Sequence, residues 1–377
     1  MAFILPTLGL LIAVLAPIVL VRADASTSPI VVQNKDPLIY YHGRWDDSPG
    51  TWWAGSGFKI HVENLSSMTL NLGPHTTSLL ASIGVSLNYG DFTTVNVSEG
   101  SNTLPLQSLQ SDSEENTTGK NVIRINTEGW QDNRINLENI TLNSGAKVLP
   151  YKPSRLAFQF IGDSLSAGQY LPKGVDQAWP FLVSESFKAE HVVVAQPGAA
   201  LTDIVSYGNV HGVSYQFFKT EDTGFYYTTD HNYTTPWDFK KDVPAATHVV
   251  SHIGANDASQ NITANAFVDT YLDFLARLRT VYVHQPIFVF TPWGWPQPTG
   301  PNSFYYNGSY TEIVNERHAV GDKDVFLVNT TGWVSYEDVF PDNIHPTVEG
   351  HQKIAGLFEK WLEGWGLQPE KEWATPA

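Results

Sequence analysis

Cysteine is absent from the 377-residue chain, which excludes a disulfide framework, a thiol nucleophile, a thiolate zinc site and a Cys-ligated iron–sulfur cluster. Charge is scarce as well: 16% of residues are Asp, Glu, Lys or Arg, against about 25% in an average soluble domain, so Ser, Thr and Asn carry much of the polarity. Basic residues are the scarcer sign, 22 Lys+Arg against 38 Asp+Glu. The resulting net charge of −16 repels phosphate backbones and anionic lipid, so neither nucleic acid nor a stable membrane partner is expected. The hydrophobic share of 42% is ordinary, which excludes intrinsic disorder. No internal repeat or low-complexity run occurs. The length suits two domains rather than one.

One long apolar run is present, at positions 2–21, followed by Ala23-Asp24-Ala25, the small-x-small pattern of a signal peptidase site. Residues 1–25 are therefore expected to be a signal peptide, with the mature chain starting at Ser26. The run lacks a positive n-region and is long enough to act as an anchor; Pro6, Pro17 and the Ala-x-Ala exit favour cleavage. N-x-Ser/Thr acceptors begin at Asn64, Asn96, Asn116, Asn139, Asn232, Asn261, Asn307 and Asn329, about twice the number that chance gives for this Ser/Thr content. A secreted, extracellular glycoprotein is the expectation.

From 26 to 149 the pattern is short period-two strands broken by Gly, Pro and Asn, as at 68–72, 122–125 and 135–142, which predicts an all-β sandwich. Two prolines in Val148-Leu-Pro-Tyr-Lys-Pro-Ser154 mark a linker at 150–155. Over 156–367 the grammar changes to strand and helix in alternation. Apolar runs at 156–161, 191–195, 247–252, 286–291 and 324–328 suit buried parallel strands. Phe267, Tyr271, Phe274, Leu275 and Leu278 fall at helical spacing, and Val348 to Leu362 predicts a C-terminal helix. This is a doubly wound α/β sheet, whose ligands sit at the carboxyl ends of the strands. The tail 368–377 is polar and expected to fray.

Four blocks then fall in order at those strand ends. Gly162-Asp163-Ser164 follows the first strand, where a serine at a strand-to-helix turn lifts its hydroxyl and its N–H into one crevice. Taken alone it reads sooner as a turn with a helix cap, and Asp163 as a turn-holding acceptor. Gln196-Pro197-Gly198 follows the second strand and Gly254-Ala255-Asn256-Asp257 the third; the Gly198 N–H and the Asn256 amide can aim at the same point, or both can be plain loop residues. Asp342-Asn343-Ile344-His345 precedes the last helix. There His345 can act as general base with Asp342 on its other ring nitrogen, or the pair can be surface and turn residues. His345 and His351 have no third ligand beside them, so no metal site is read.

Together these blocks resemble the SGNH, or GDSL-type, hydrolase superfamily over 156–367. The resemblance implies a flavodoxin-like α/β domain, Ser164 as nucleophile, His345 and Asp342 completing a triad, and an oxyanion hole from Ser164, Gly198 and Asn256. The N-terminal Tyr41-His42-Gly43-Arg44-Trp45-Asp46 and Thr51-Trp52-Trp53-Ala54-Gly55-Ser56-Gly57 extend it: the chain is similar to carbohydrate esterase family 2, which pairs a jelly-roll module with the hydrolase domain and deacetylates plant polysaccharides. Some members of that family use a Ser-His dyad. The resemblance implies a carbohydrate acetyl esterase acting on an acetylated polysaccharide or oligosaccharide such as xylan or glucomannan, without metal or organic cofactor.

Of the 12 Trp residues, Trp293 and Trp295 just past the fourth strand are the candidates for contact with sugar, while Trp52 and Trp53 are expected inside the sandwich or at the domain junction. No G-x-S-x-G elbow, H-E-x-x-H or Walker loop occurs. The competing readings are a GDSL-type lipase or lysophospholipase and an inactive carbohydrate-binding protein.

Overall fold

The computed structural model describes residues 1–2, 28–51, 53–109, 119–129, 133–221 and 234–377. Residues 3–25 of the expected leader, Trp52, Asn116 and Asn232 lie outside the described residues.

The N-terminal part consists of two antiparallel sheets. Its strands are β1 (Ile30–Gln33), β2 (Tyr40–His42), β3 (Gly50–Thr51), β4 (Gly57–Glu63), β5 (Met68–Leu72), β6 (Ala81–Leu87), β7 (Thr93–Val97), β8 (Gly100–Thr103), β9 (Lys120–Thr127), β10 (Ile135–Leu142) and β11 (Lys147–Leu149). One sheet runs β1-β10-β5-β8 with β3 on β10; the other runs β11-β4-β9-β6-β7 with β2 on β4. Alternate residues of both sheets share one core: Phe58, Ile60 and Val62 of β4 and Ile123 and Ile125 of β9 face Leu70, Leu72, Leu137 and Ile140 of the opposite sheet.

The C-terminal part holds one parallel sheet. Strands β12 (Ala157–Gly162), β13 (Glu190–Ala195), β14 (His248–His252), β15 (Ile287–Phe290) and β16 (Val325–Val328) lie in the order β13-β12-β14-β15-β16. The helices are α1 (Ser164–Ala167), α2 (Trp179–Phe187), α3 (Val213–Gln216), α4 (Ala255–Ser259), α5 (Ala264–Leu278), α6 (Ser309–Ala319) and α7 (Val348–Trp365). Alternation along the strands separates two apolar layers. Phe158, Phe160, Phe288 and Phe290 pack under α2 and α7, whereas Ile161, Val249, Ile287 and Val289 pack under α5 and α6. The sheet is thus covered on both faces.

Between the two parts the polar face of one sandwich sheet is buried instead of wet. Lys59, on the face of β4 opposite Phe58 and Ile60, meets Glu190 at 2.5 Å, and both side chains are nearly fully buried. Arg124 of β9 pairs with Glu185 of α2 at 2.7 Å. Asn126 donates to Asp176 at 2.6 Å while its amide oxygen meets His42 at 3.0 Å. Arg44 donates to the carbonyls of Gln216 and Lys219 and lies among the rings of Trp53, Phe217, Trp237 and Phe239. Trp53 belongs to this junction, its indole N–H on the Thr220 carbonyl at 2.8 Å.

The tail corrects its expectation of fraying. Trp373 stacks on Tyr89 at 4.5 Å, and Thr375 is buried with hydrogen bonds to Lys152 and Tyr89. Aromatic stacking and the Thr375 hydroxyl, which accepts from the Lys152 N–H and donates to its carbonyl, hold a segment whose composition alone reads as loose. Among the glycosylation acceptors, Asn64, Asn96, Asn261, Asn307 and Asn329 are exposed. Asn139 is half-buried and accepts from the Asn71 amide at 2.7 Å.

Candidate active site

Ser164 is the first residue of α1, directly after β12. Asp163 caps that helix, its carboxylate accepting from the Leu165 N–H at 3.0 Å, so the turn presents Ser164 above the strand end. Burial pushes the Asp163 carboxyl up to about 7, and the neighbouring Asp257 adds to the shift against the Leu165 hydrogen bond.

His345 comes from the loop before α7, which places its ring over Ser164: Nε2 stands 2.9 Å from Ser164 Oγ. The ring's Nδ1 lies 3.0 Å from the Asn343 carbonyl. A carbonyl only accepts, so Nδ1 carries the proton and Nε2 has its lone pair free for the Ser164 hydroxyl. The Asn343 side chain also accepts from the His345 N–H at 3.0 Å. Ile344, between them, takes φ +62°, a costly conformation for a β-branched residue and one that clusters at functional sites. Burial holds the His345 pKa below the ordinary imidazole range, against the opposing effect of the Asn343 contact, so the ring is neutral at neutral pH.

Asp342 is not brought to His345. It is exposed, and its carboxylate accepts from the Asn343 amide at 3.2 Å. The expected triad is corrected here to a Ser-His pair oriented by a main-chain carbonyl. The physical reason is the tight turn, which folds Asn343 back onto the ring and turns the preceding side chain to solvent.

Gly198 and Asn256 flank Ser164 because β13 and β14 lie on either side of β12. Gly198, after β13, takes φ +78°, and a Cβ there would come within 2.6 Å of Tyr207 Cβ, so the position requires glycine. Neither the Ser164 nor the Gly198 N–H has an acceptor among the described residues. Asn256, on α4 after β14, donates to the Ala199 carbonyl at 3.0 Å and makes only a long 3.5 Å contact with Asp163. One N–H of its amide is thus anchored and the other only loosely held. These groups line a 450 Å³ groove together with Gln169, Tyr170, Tyr207, Trp295 and Asn343.

Residues 160–353, just over half of the chain, match the sequence profile of the GDSL-like lipase/acylhydrolase family. The chain belongs to that family. No curated protein matches it in sequence. Among solved structures, a family two carbohydrate esterase from Cellvibrio japonicus is 16% identical, with 89% of this chain and 98% of that one covered and a TM-score of 0.69. An acetyl xylan esterase from the rumen bacterium Butyrivibrio proteoclasticus is 17% identical over 89% and 99% of the two chains, TM-score 0.67. A family two carbohydrate esterase from Clostridium thermocellum, in complex with cellohexaose, is 20% identical over 87% and 98%, TM-score 0.66. At these identities the likeness is one of fold, and it spans both parts of the chain.

Trp295 lines the groove, half-buried against Tyr305. Trp293 is corrected to a core residue: it is 2% exposed and stacks on the buried His252 at 3.8 Å. His351 is buried too, and its Nδ1 accepts from the Trp179 N–H at 3.1 Å, away from the groove.

Sequence reasoning missed Tyr170 and Tyr207. Tyr170 stands edge-to-face with His345 at 5.0 Å, and both tyrosines are exposed and take positive φ, 70° at Tyr170 and 45° at Tyr207. Nothing in a single sequence marks a tyrosine for the left-handed region.

Proposed function

We propose that this GDSL-family protein is a secreted serine esterase that removes acetyl or other short acyl groups from a plant cell-wall polysaccharide such as xylan or glucomannan. The observation that carries the reading is the 2.9 Å contact between Ser164 Oγ and His345 Nε2, at the floor of an open groove flanked by aromatic side chains. Flat rings of this kind cover the apolar faces of pyranoses, and the open groove admits a chain-like leaving group.

In this reading Ser164 Oγ attacks the ester carbonyl as His345 Nε2 takes its proton. The Asn343 carbonyl holds the tautomer and faces the charge that forms on the imidazolium. The oxyanion lies against the Ser164 and Gly198 N–H groups and the loosely held N–H of Asn256. His345 then gives that proton to the departing sugar oxygen, which leaves as the hydroxyl, and water repeats the sequence on the acyl-enzyme. The fold likeness to carbohydrate esterases supports a glycan leaving group. The apolar leader with its Ala-x-Ala exit and the glycosylation acceptors support export.

The test is hydrolysis of p-nitrophenyl esters of rising chain length and of acetylated xylan by protein starting at Ser26, beside Ser164→Ala. Acetate release that falls off with longer chains and vanishes in the variant is expected. A preference for long esters would replace this reading with a lipase, and glycan binding without turnover would replace it with a binding protein.

A further inference from the structure

The two donor-bearing turns of the groove have no direct connection within the sheet. β13 pairs with β12, and β14 pairs with β12, so the ladder relates Gly198 to Asn256 only through the strand that carries the nucleophile. Both residues also lie beyond the last ladder pairs of their strands, where backbone is otherwise free to shift. Their relative position must be set above the sheet.

Asn256 itself donates to the Ala199 carbonyl at 3.0 Å, and beside it Asp257 reaches across with three further contacts. It is fully buried at the start of α4, next to Asn256. One carboxylate oxygen accepts from the Leu201 N–H at 2.7 Å; the other accepts from the Thr202 N–H at 2.9 Å and the Thr202 hydroxyl at 2.7 Å. All three donors belong to the segment that continues from Gly198. On the solvent side Tyr207, whose Cβ sits against Gly198, meets Ser259 Oγ at 3.2 Å through its hydroxyl. That contact is exposed and single, whereas the Asp257 contacts are buried, short and charge-assisted, the stronger class of hydrogen bond.

We propose that Asp257 is a positioning residue for ester hydrolysis: its carboxylate ties the Gly198 turn to the Asn256 helix and so fixes the spacing of the oxyanion donors. The inference rests on the esterase reading above. It assigns Asp257 no contact with substrate and no proton transfer. Donors displaced by a fraction of an ångström still bind the ester in its ground state, but lose contact with the charge that develops on the carbonyl oxygen.

The test is Asp257→Asn, which keeps the shape but turns an NH2 toward N–H donors, and Thr202→Val, which removes only the hydroxyl donor. With acetyl ester, Asp257→Asn is expected to lower kcat by about 10- to 100-fold with KM within about threefold of wild type. Affinity for a trifluoromethyl ketone, which adds to Ser164 and forms an oxyanion, should fall by the same factor. The acid limb of the pH profile should stay in place, because His345 is untouched. Thr202→Val should show the same pattern at about two- to fivefold, and it keeps the test available if Asp257→Asn does not fold. Unchanged kcat and ketone affinity in folded Thr202→Val or Asp257→Asn protein, or a rise in KM that accounts for the whole loss, would overturn the assignment. A wild-type protein inactive on every ester would instead overturn the esterase reading itself.

Discussion

The seam between the two parts and the groove at Ser164 treat charge in opposite ways. At the seam, Lys59, Arg124 and Arg44 are buried, the first two facing carboxylates and the third facing carbonyls and aromatic rings. In the groove Ser164 and His345 are neutral, the carboxylate nearest His345 in sequence points to solvent, and the polar groups around the Ser164 hydroxyl are N–H and carbonyl dipoles. The difference follows from what each region must do. A buried ion pair specifies one docking geometry but demands its partner permanently, because an unpaired buried charge is strongly unfavourable. A groove that must admit a neutral ester and then hold a transient negative oxygen is better served by fixed dipoles, which leave no standing charge when empty.

The sharpest way to break the comparison is to unpair the seam. Lys59→Met should cost about 3–5 kcal/mol in denaturant unfolding by stranding Glu190, while Lys59→Met with Glu190→Leu should recover most of that loss. A small cost for the single variant would mean that water reaches the pair. Removing one groove dipole should do the reverse: Asn256→Ala is expected to lower kcat by about 10²- to 10³-fold with little change in the unfolding midpoint.

Acid should separate the regions next. His42 at the seam is held at about 3 by burial, with Lys59 adding to the shift, whereas it titrates near about 6.5 in the unfolded chain. Between those values the unfolded state binds the extra proton, so His42 makes stability fall as pH drops below about 6.5, by at most about 1.4 kcal/mol per pH unit. The buried Asp163, raised to about 7, acts in the opposite direction over its own window, because there the native state holds the proton. His42→Gln should therefore flatten the acid side of a Tm-against-pH plot. In the groove, the lowered pKa of His345 puts the acid limb of kcat/KM below pH about 6.5, and a limb above that value would contradict the burial argument. The smallest effect is expected at Asp342: Asp342→Asn should stay within about threefold of wild-type kcat, where loss of a true triad carboxylate costs about 10⁴-fold. A loss of that size would return Asp342 to the base.

Much of the architecture was legible because periodicity reports burial. The apolar runs of the α/β part correspond to β12 to β16, and the stripe from Phe267 to Leu278 corresponds to the buried face of α5. Helices α2 and α6 were not anticipated: α2 has apolar residues on most sides, and α6 buries only Ser309, Tyr310, Ile313 and Val314, so neither shows a clear stripe. The motif blocks pointed to the groove because glycine, serine, asparagine and histidine at strand ends have few other reasons to occur in that order. They did not distinguish Asp342 from the Asn343 carbonyl as the ring's partner, since every residue carries a carbonyl and only the local backbone turn selects one. Asp257 stood within a quoted motif, but its partners lie more than fifty residues away in sequence.

By itself the sequence determined the two grammars of strand and helix, the absence of thiol chemistry, the acidic balance and the order of the motif residues along the chain. These follow from composition and from the local geometry of backbone repeats. Only the tertiary structure decided that Lys59, Arg124 and Asn126 are buried, that Trp293 belongs to the core, that the tail is docked, and that His345 answers to a carbonyl. Each of these depends on which surface meets which, and a pattern of period two records that a face is polar without recording what covers it.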